Sequence, residues 1–195
     1  MKEIFHLIKS PPLSNNATAQ DLASFWDKVY NELEDGKSLS AIEQQDRAIS
    51  PSRFLPSTIN SYSALCEKDC DLLQETPNAF VMIVAASAIR CTAILRQLEP
   101  VKRNGKKIAK LFAKHLKIED QRAFLARNDC AFGVGTPARL AQLIDEFEKF
   151  KEVLVIVDSS AKDGKQRTIW EVKETRKDLY KLVDLLPKST QLAFL

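Results

Sequence analysis

The stretch from Cys130 to Ser160, CAFGVGTPARLAQLIDEFEKFKEVLVIVDSS, constrains the fold more than any other part of the chain. It contains a short apolar run, a turn with glycines, an amphipathic segment and a second apolar run. This order is typical of a buried strand, a crossover helix and a second, parallel strand. The run Val153–Val157 is too short for a helix and apolar at every position, so we expect both faces of this strand to be covered. The sequence therefore predicts a unit of an α/β domain.

The crossover helix has a clear start and one apolar face. Thr136 can cap the helix, and Pro137 can occupy its first position without the loss of a hydrogen bond. Apolar residues at helical spacing then predict a helix that continues to Phe147 with one face buried. Asp158 directly follows the second strand and should lie at its carboxyl end, where ligands of open α/β sheets bind.

Strand and helix patterns alternate through the second part of the chain. Strands are predicted over residues 80–86, 108–112 and 191–195, and helices over residues 88–98, 118–126 and 168–186. Such repeated units predict right-handed crossovers and a mostly parallel sheet with helices on both faces. Residues 17–33 and 57–73 instead have helical spacing without strands between them. We therefore expect residues 1–75 to form a helical extension that packs on a core domain of residues 76–195 and covers an edge of its sheet.

The cysteines and histidines give little support to a metal site. The four cysteines show no CxxC spacing, and the chain has two histidines. The cysteines are most simply read as reduced, buried thiols. No His, Ser or Cys stands in a pattern typical of a catalytic triad. The sequence therefore predicts no metal, no cofactor and no catalytic residue.

Positive charge is concentrated between residues 101 and 118. This segment contains seven Lys and Arg residues and no acid, although the whole chain has a net charge of only +3. Lys102, Arg103, Lys106 and Lys107 are its densest part and are candidates for contact with RNA phosphates. The alternative is a solvated basic loop, which is a common use of such a run.

Four segments in the second part of the chain resemble a known family. VMIVAASAIR, GVGTPARL, VLVIVDSS and LLPKSTQLAFL follow one another over about residues 79–195. Their order and spacing are similar to landmarks of the first RecA-like domain of DEAD-box RNA helicases. The resemblance implies a three-layer α/β domain of the RecA-like, P-loop-NTPase type.

The nucleotide motifs of that family are incomplete here. A phosphate loop needs several glycines, a Lys and a hydroxyl, and Gly36-Lys37-Ser38 matches only the end of such a motif. The resemblance implies a magnesium-binding role for Asp158, but Ser159 replaces the glutamate that orients the attacking water, and Ser160 follows. We therefore interpret Asp158, Ser159 and Ser160 as a degenerate nucleotide site and predict that the chain is not an enzyme.

Two turns at the same sheet edge are candidates for phosphate contact. In the family that the chain resembles, the turn that contains Thr136 and Arg139 touches the RNA backbone, and a helix N-terminus beside an Arg can bind a phosphate. The alternative is that Thr136 only caps its helix and Arg139 is solvated. Ser87 and Arg90 follow the first strand and are the second candidates.

The closest resemblance is to CMSS-type proteins of small ribosomal subunit biogenesis, which look like half of a DEAD-box helicase without nucleotide motifs. SAIR, LFAKHLKIEDQ and GVGTPARL carry this resemblance. It implies a nuclear, nucleolar factor of the small-subunit processome that takes part in rRNA processing. We favour a non-enzymatic module that binds pre-ribosomal proteins and precursor rRNA, with no membrane and no small-molecule substrate. Two alternatives are a protein scaffold without RNA contact and an RNA-dependent ATPase fragment that a partner completes.

Overall fold

The computed structural model describes residues 17–31, 40, 42–43, 45, 48–55, 61–62, 65, 79–98 and 106–195. In this part of the chain the helices are α1 (Ala19–Asn31), α2 (Ala88–Leu98), α3 (Ile118–Arg127), α4 (Pro137–Gln142) and α5 (Lys173–Leu185). The strands are β1 (Phe80–Val84), β2 (Lys107–Leu111), β3 (Cys130–Gly135), β4 (Val153–Val157) and β5 (Gln191–Phe194), and short 3-10 helices cover Pro51–Arg53 and Ile144–Phe147. None of these helices is long and apolar enough to cross a membrane.

The strands form one sheet in the order β2-β3-β1-β4-β5, and every neighbouring pair is parallel. β1 and β3 are buried along their whole length, because apolar side chains leave both faces of the sheet. Phe80, Met82 and Val84 belong to a cluster with α1, α4 and α5, whereas Val81 and Ile83 belong to a cluster with α2. The predicted fold class, a three-layer RecA-like α/β domain with a parallel sheet, is confirmed.

α1 packs on the face of the sheet that α5 also covers. It starts at a capping pair in which the Asp21 N–H donates to Thr18 Oγ1 and the Thr18 N–H donates to the Asp21 carboxylate. The Trp26 ring lies 4.4 Å from the Tyr180 ring and 6.3 Å from the Phe194 ring, measured between centroids. The Tyr180 hydroxyl also donates to the Trp26 carbonyl at 2.8 Å. The division of the chain near residue 75 stays a prediction, because residues 66–78 lie outside the described part.

A short N-terminal segment lies along the outer edge of β5. Phe54 forms a parallel bridge with Leu192, and the Leu55 N–H donates to the Leu192 carbonyl at 2.8 Å. The Arg53 Nε donates to the Thr190 carbonyl at 3.0 Å, and this guanidinium is buried. Burial lowers the pKa of Arg53. The segment therefore satisfies part of the sheet edge that a further strand would otherwise pair with.

The crossover after β3 is not the single helix to Phe147 that the spacing predicts. α4 ends at Gln142, and a 3-10 turn follows over Ile144–Phe147. The Gln142 carbonyl accepts a hydrogen bond from Arg122 Nη2 at 3.1 Å, while the Glu146 N–H donates to the Leu143 carbonyl. In a continuous helix the Glu146 N–H would bond to Gln142, so Arg122 takes the place of the next helical turn.

α5 also starts later than the spacing predicts, at Lys173 instead of residue 168. The Thr168 N–H and hydroxyl both donate to the Glu171 carboxylate, at 2.7 and 3.0 Å. This pair closes a separate turn, and Val172 then adopts an extended backbone conformation before the helix. The capping pattern in the sequence therefore belongs to the turn and not to the helix.

Candidate functional site

The candidate site lies at the carboxyl edge of the sheet, where β1, β3 and β4 end side by side. Ser87 follows β1, Thr136 follows β3 and Asp158 follows β4. The Asp158 N–H donates to the Val84 carbonyl at 2.9 Å, so Asp158 is fixed against the end of β1. The parallel register therefore brings these predicted residues to one edge, which is the ligand-binding edge of open α/β sheets.

Asp158 is buried, and the chain itself satisfies its carboxylate. Arg90 Nε donates to Oδ2 and Arg90 Nη2 donates to Oδ1, both at 2.8 Å. The Tyr62 hydroxyl donates to Oδ1 at 2.7 Å. Asp158 is 1% exposed and the Arg90 side chain is 33% exposed. The guanidinium therefore forms a bidentate pair that covers both carboxylate oxygens.

The protonation of the two donors supports this arrangement. Burial raises the pKa of Tyr62, and the negative charge of Asp158 raises it further. The hydrogen bond to Asp158 raises the pKa of Arg90. Because both shifts favour the protonated forms, Tyr62 and Arg90 keep their protons and remain donors near neutral pH.

The residues at this position do not fit a magnesium-nucleotide site. Mg²⁺ in such sites is held by one or two carboxylates together with phosphate oxygens and water. The Asp158 oxygens are instead covered by Arg90 and Tyr62. The Ser159 hydroxyl donates to the Val157 carbonyl at 3.1 Å, so it is also turned toward the protein. Among the described residues, no group of three or more His, Cys, Asp or Glu side chains could hold a metal ion.

Ser87 acts as the cap of α2. Its hydroxyl accepts a hydrogen bond from the Arg90 N–H at 3.2 Å, which fixes the first turn of the helix. This turn directs the Arg90 side chain at Asp158. Ile89, in the same turn, is 75% exposed. The structure thus brings Ser87 and Arg90 together at the edge, but their hydrogen bonds go to groups of the protein.

Arg139 is tied to the turn after β2. Its Nη1 donates to the Leu116 carbonyl at 3.1 Å and to Gln121 Oε1 at 2.7 Å. Gln121 is buried, and its Nε2 donates to the Lys110 and Phe112 carbonyls. Nε and Nη2 of Arg139 make no further hydrogen bond with the described residues. One side of this guanidinium is therefore anchored, and the other side can still donate.

Thr136 stands at the N-cap of α4 as the sequence predicts, but its side chain makes no capping hydrogen bond. Its backbone is extended, and its carbonyl accepts from the Leu140 N–H at 3.0 Å. α4 has six residues, so its aligned peptide dipoles are few. We therefore place no anion site at this helix end by itself.

The basic run is divided between the two ends of β2. Lys106 pairs with Asp129 at 3.3 Å and the Lys107 ammonium donates to Asn128, both at the amino end of the strand. Lys114 and Lys117 are exposed in the turn after the carboxyl end. Since β2 extends for about 13 Å, the structure separates Lys106 and Lys107 from Arg139. The predicted candidates Lys102 and Arg103 lie outside the described residues.

Positive side chains surround the carboxyl edge. We call this surface the basic edge, and it consists of Lys114, Lys117, Arg139, Lys162 and Lys165. Two acids at this edge already have partners, because Asp158 pairs with Arg90 and Asp163 pairs with Arg167 at 2.8 Å. Glu119 and Asp120, in the first turn of α3, are the exposed acids that follow Lys117.

Sequence reasoning did not identify Tyr62 and Gln121. Tyr62 lies 96 residues before Asp158 and has the apolar spacing of an ordinary core residue. Gln121 is a polar residue within a short helix, where such residues are usually exposed. A buried polar group needs a partner, but the chain gives no local signal of which one.

Comparison with known proteins followed from this geometry. A family model named CMS1, described as "U3-containing 90S pre-ribosomal complex subunit", matches residues 5–191. Protein CMS1 of Chaetomium thermophilum is 33% identical over 164 residues, and the match covers 76% of this chain and 65% of that protein. Protein CMSS1 of Homo sapiens is 26% identical over 185 residues, with 92% of this chain and 65% of that protein covered. A crystal structure of the Pyrococcus furiosus Hef helicase domain aligns at 16% identity with a TM-score of 0.41, over 91% of this chain and 36% of that one. The chain spans less than two thirds of the length of these two relatives.

Proposed function

Because the chain belongs to the CMS1 family of pre-ribosomal complex subunits, we propose that it is a non-enzymatic component of the small-subunit processome in the nucleolus. In this function it binds pre-ribosomal proteins and contacts precursor rRNA through the basic edge. The observation that carries the proposal is the carboxyl edge itself. There the carboxylate of a nucleotide site is closed by Arg90, while exposed lysines surround it.

The chemistry of the basic edge suits a phosphate backbone better than a base-specific site. Lys114, Lys117, Lys162 and Lys165 are exposed ammonium groups that can approach phosphates. Arg139 is held on one side by Gln121, so its guanidinium has less freedom to lose on binding. Backbone contact of this kind gives affinity that depends on salt and varies little with RNA sequence.

The closed carboxylate argues against the ATPase-fragment alternative. A partner that supplied a phosphate loop would still have to displace both Arg90 and Tyr62 from Asp158. Breaking such a buried pair leaves an uncompensated charge and is strongly unfavourable. The non-enzymatic function therefore agrees better with the geometry of the edge.

Binding of a labelled oligouridine across a salt series tests the RNA contact. We expect Lys114→Gln/Lys117→Gln to weaken binding and to reduce the slope of log affinity against log salt by about 2, or about 1 for each lost phosphate contact. The matched control is Lys151→Gln/Lys188→Gln, which removes the same charge from exposed positions just before β4 and β5, at the opposite edge.

Two outcomes would contradict RNA contact at the basic edge. One is the absence of binding by the wild-type protein at low salt, which would favour a protein scaffold without RNA. The other is an equal loss of affinity in the two double variants, because the effect would then come from net charge and not from the position of the lysines.

A further inference from the structure

The geometry at Asp158 supports an inference that does not depend on RNA contact. We infer that the chain fills its own nucleotide site, with the Arg90 guanidinium as a permanent internal cation on Asp158 and the Tyr62 hydroxyl as the third donor. The carboxyl edge is thereby held in one arrangement without nucleotide or metal. The ligand of this carboxylate is a part of the protein.

The first support is the completeness of the coordination around the carboxylate. Three donor atoms lie 2.7–2.8 Å from its two oxygens. The Arg90 guanidinium also lies 5.7 Å from the centre of the Tyr62 ring, so the two donors contact each other. A single positive charge therefore balances the buried negative charge, and the neutral hydroxyl completes the shell.

The second support is the path of the chain that delivers Tyr62. Phe54 lies beside Leu192 in the parallel direction, and Tyr62 then appears at Asp158, at the carboxyl edge. In open α/β sheets, a turn that follows a strand at this edge can cradle phosphate when glycines let the backbone approach. Here the chain has no glycine between Gly36 and Gly105. The segment at this position therefore supplies a tyrosine hydroxyl where a phosphate-binding turn would supply backbone N–H groups.

The third support is the number of chain segments that meet at Asp158. The carboxylate belongs to the end of β4, the guanidinium to the first turn of α2, and the hydroxyl to the N-terminal part of the chain. These segments are 68 and 96 residues from Asp158 in sequence. The internal cation thus joins three separate parts of the fold at the edge that carries the candidate RNA contacts.

Urea unfolding of single and double variants tests the internal cation. We expect Arg90→Ala to raise the unfolding equilibrium constant by about a hundredfold or more, because it leaves Asp158 buried without its charge partner. Arg90→Ala/Asp158→Asn should unfold much less readily than the sum of the single effects predicts. Arg96→Ala, an exposed arginine of the same helix, is the matched control and should change stability little. Arg90→Lys, which keeps the charge, gives a milder variant if Arg90→Ala does not fold, and it should lie between the wild type and Arg90→Ala.

Thermal melting of the wild-type protein with magnesium and ATP gives the second reading. We expect no change in melting temperature at millimolar ATP, where micromolar binding would raise the folding equilibrium constant about a thousandfold. A magnesium-ATP stabilisation that disappears in Asp158→Asn would overturn the inference. So would additive effects of the Arg90 and Asp158 substitutions, or an Arg90→Lys variant as stable as the wild type. None of these results depends on the oligouridine measurement, so the two proposals can fail separately.

Discussion

Gly135→Ala is expected to lower the free energy of unfolding by about 3 kcal/mol or more, at the upper end of the cost of overpacking a core. Gly135 is the last residue of β3, and an added Cβ would collide with the backbone carbonyl oxygen of Leu111 on β2. The same Cβ would lie 2.8 Å from Cγ of Leu140 on α4. Because the first obstacle is backbone, relief requires β2 and β3 to separate.

Gly164→Ala is the matched control for this substitution. Gly164 lies in the loop after β4, and a Cβ there would meet no atom within 4 Å. We expect a change of less than about 0.5 kcal/mol. Urea unfolding followed by circular dichroism measures both variants. Equal stability of the two would contradict the tight contact between β2, β3 and α4.

Trp26→Ala is expected to cost about 3–5 kcal/mol of unfolding free energy, as large aromatic truncations in cores do. Trp26 is 4% exposed and packs against aromatic residues of β5 and α5. Its ring also lies 6.1 Å from that of Trp170, which is fully buried. The substitution removes the side chain that joins α1 to the sheet, so the whole domain should lose stability.

The control for Trp26→Ala is Lys28→Ala, an exposed position on the same helix that should change stability by less than about 0.5 kcal/mol. Unfolding is followed by circular dichroism and by the remaining fluorescence of Trp170. We expect both signals to change in one transition at lower urea concentration. A separate early loss of helical signal, with the Trp170 transition unmoved, would show that α1 folds apart from the core.

Much of the sheet could be predicted because each buried strand is a continuous apolar run. Phe80–Val84 and Val153–Val157 need cover on both faces, so their sequences contain almost nothing polar. The end of such a run also marks the carboxyl edge, which is why Asp158 was placed correctly there. Strand positions and the edge therefore follow from local composition.

Helix boundaries could not be predicted as well, because side chains from other elements decide them. The spacing of Leu140, Leu143 and Phe147 is helical, and all three are buried. The helix nevertheless ends at Gln142, whose carbonyl bonds to Arg122 of α3. No feature within residues 137–147 announces a donor that lies 20 residues earlier.

The candidate site shows the same limit more strongly. Arg90 was predicted as a phosphate-binding candidate, and the structure directs its guanidinium at Asp158. The sequence shows that both residues follow buried strands, but it does not show that β1 and β4 are neighbours. Only the strand order in the sheet brings the two charges into contact, and once in contact they are more stable paired than apart.

The basic edge and the closed carboxylate together describe a domain that keeps the nucleic-acid side of a RecA-like fold and fills its nucleotide side from within. Lys114 and Lys117 remain exposed at this edge, whereas Asp158 has no exposed oxygen to offer a ligand. A protein of this kind can contribute a fixed surface to a large assembly without turnover. Its contribution would then be set by charge and shape, and not by a cycle of nucleotide binding.

The most direct test is recovery of precursor rRNA with the tagged protein from cells that make it naturally. We expect precursor rRNA of the small subunit to co-purify together with pre-ribosomal proteins. The amount should fall for Lys114→Gln/Lys117→Gln and remain for the control Lys151→Gln/Lys188→Gln. Purification of the wild-type protein without precursor rRNA and without pre-ribosomal proteins would contradict the proposed function.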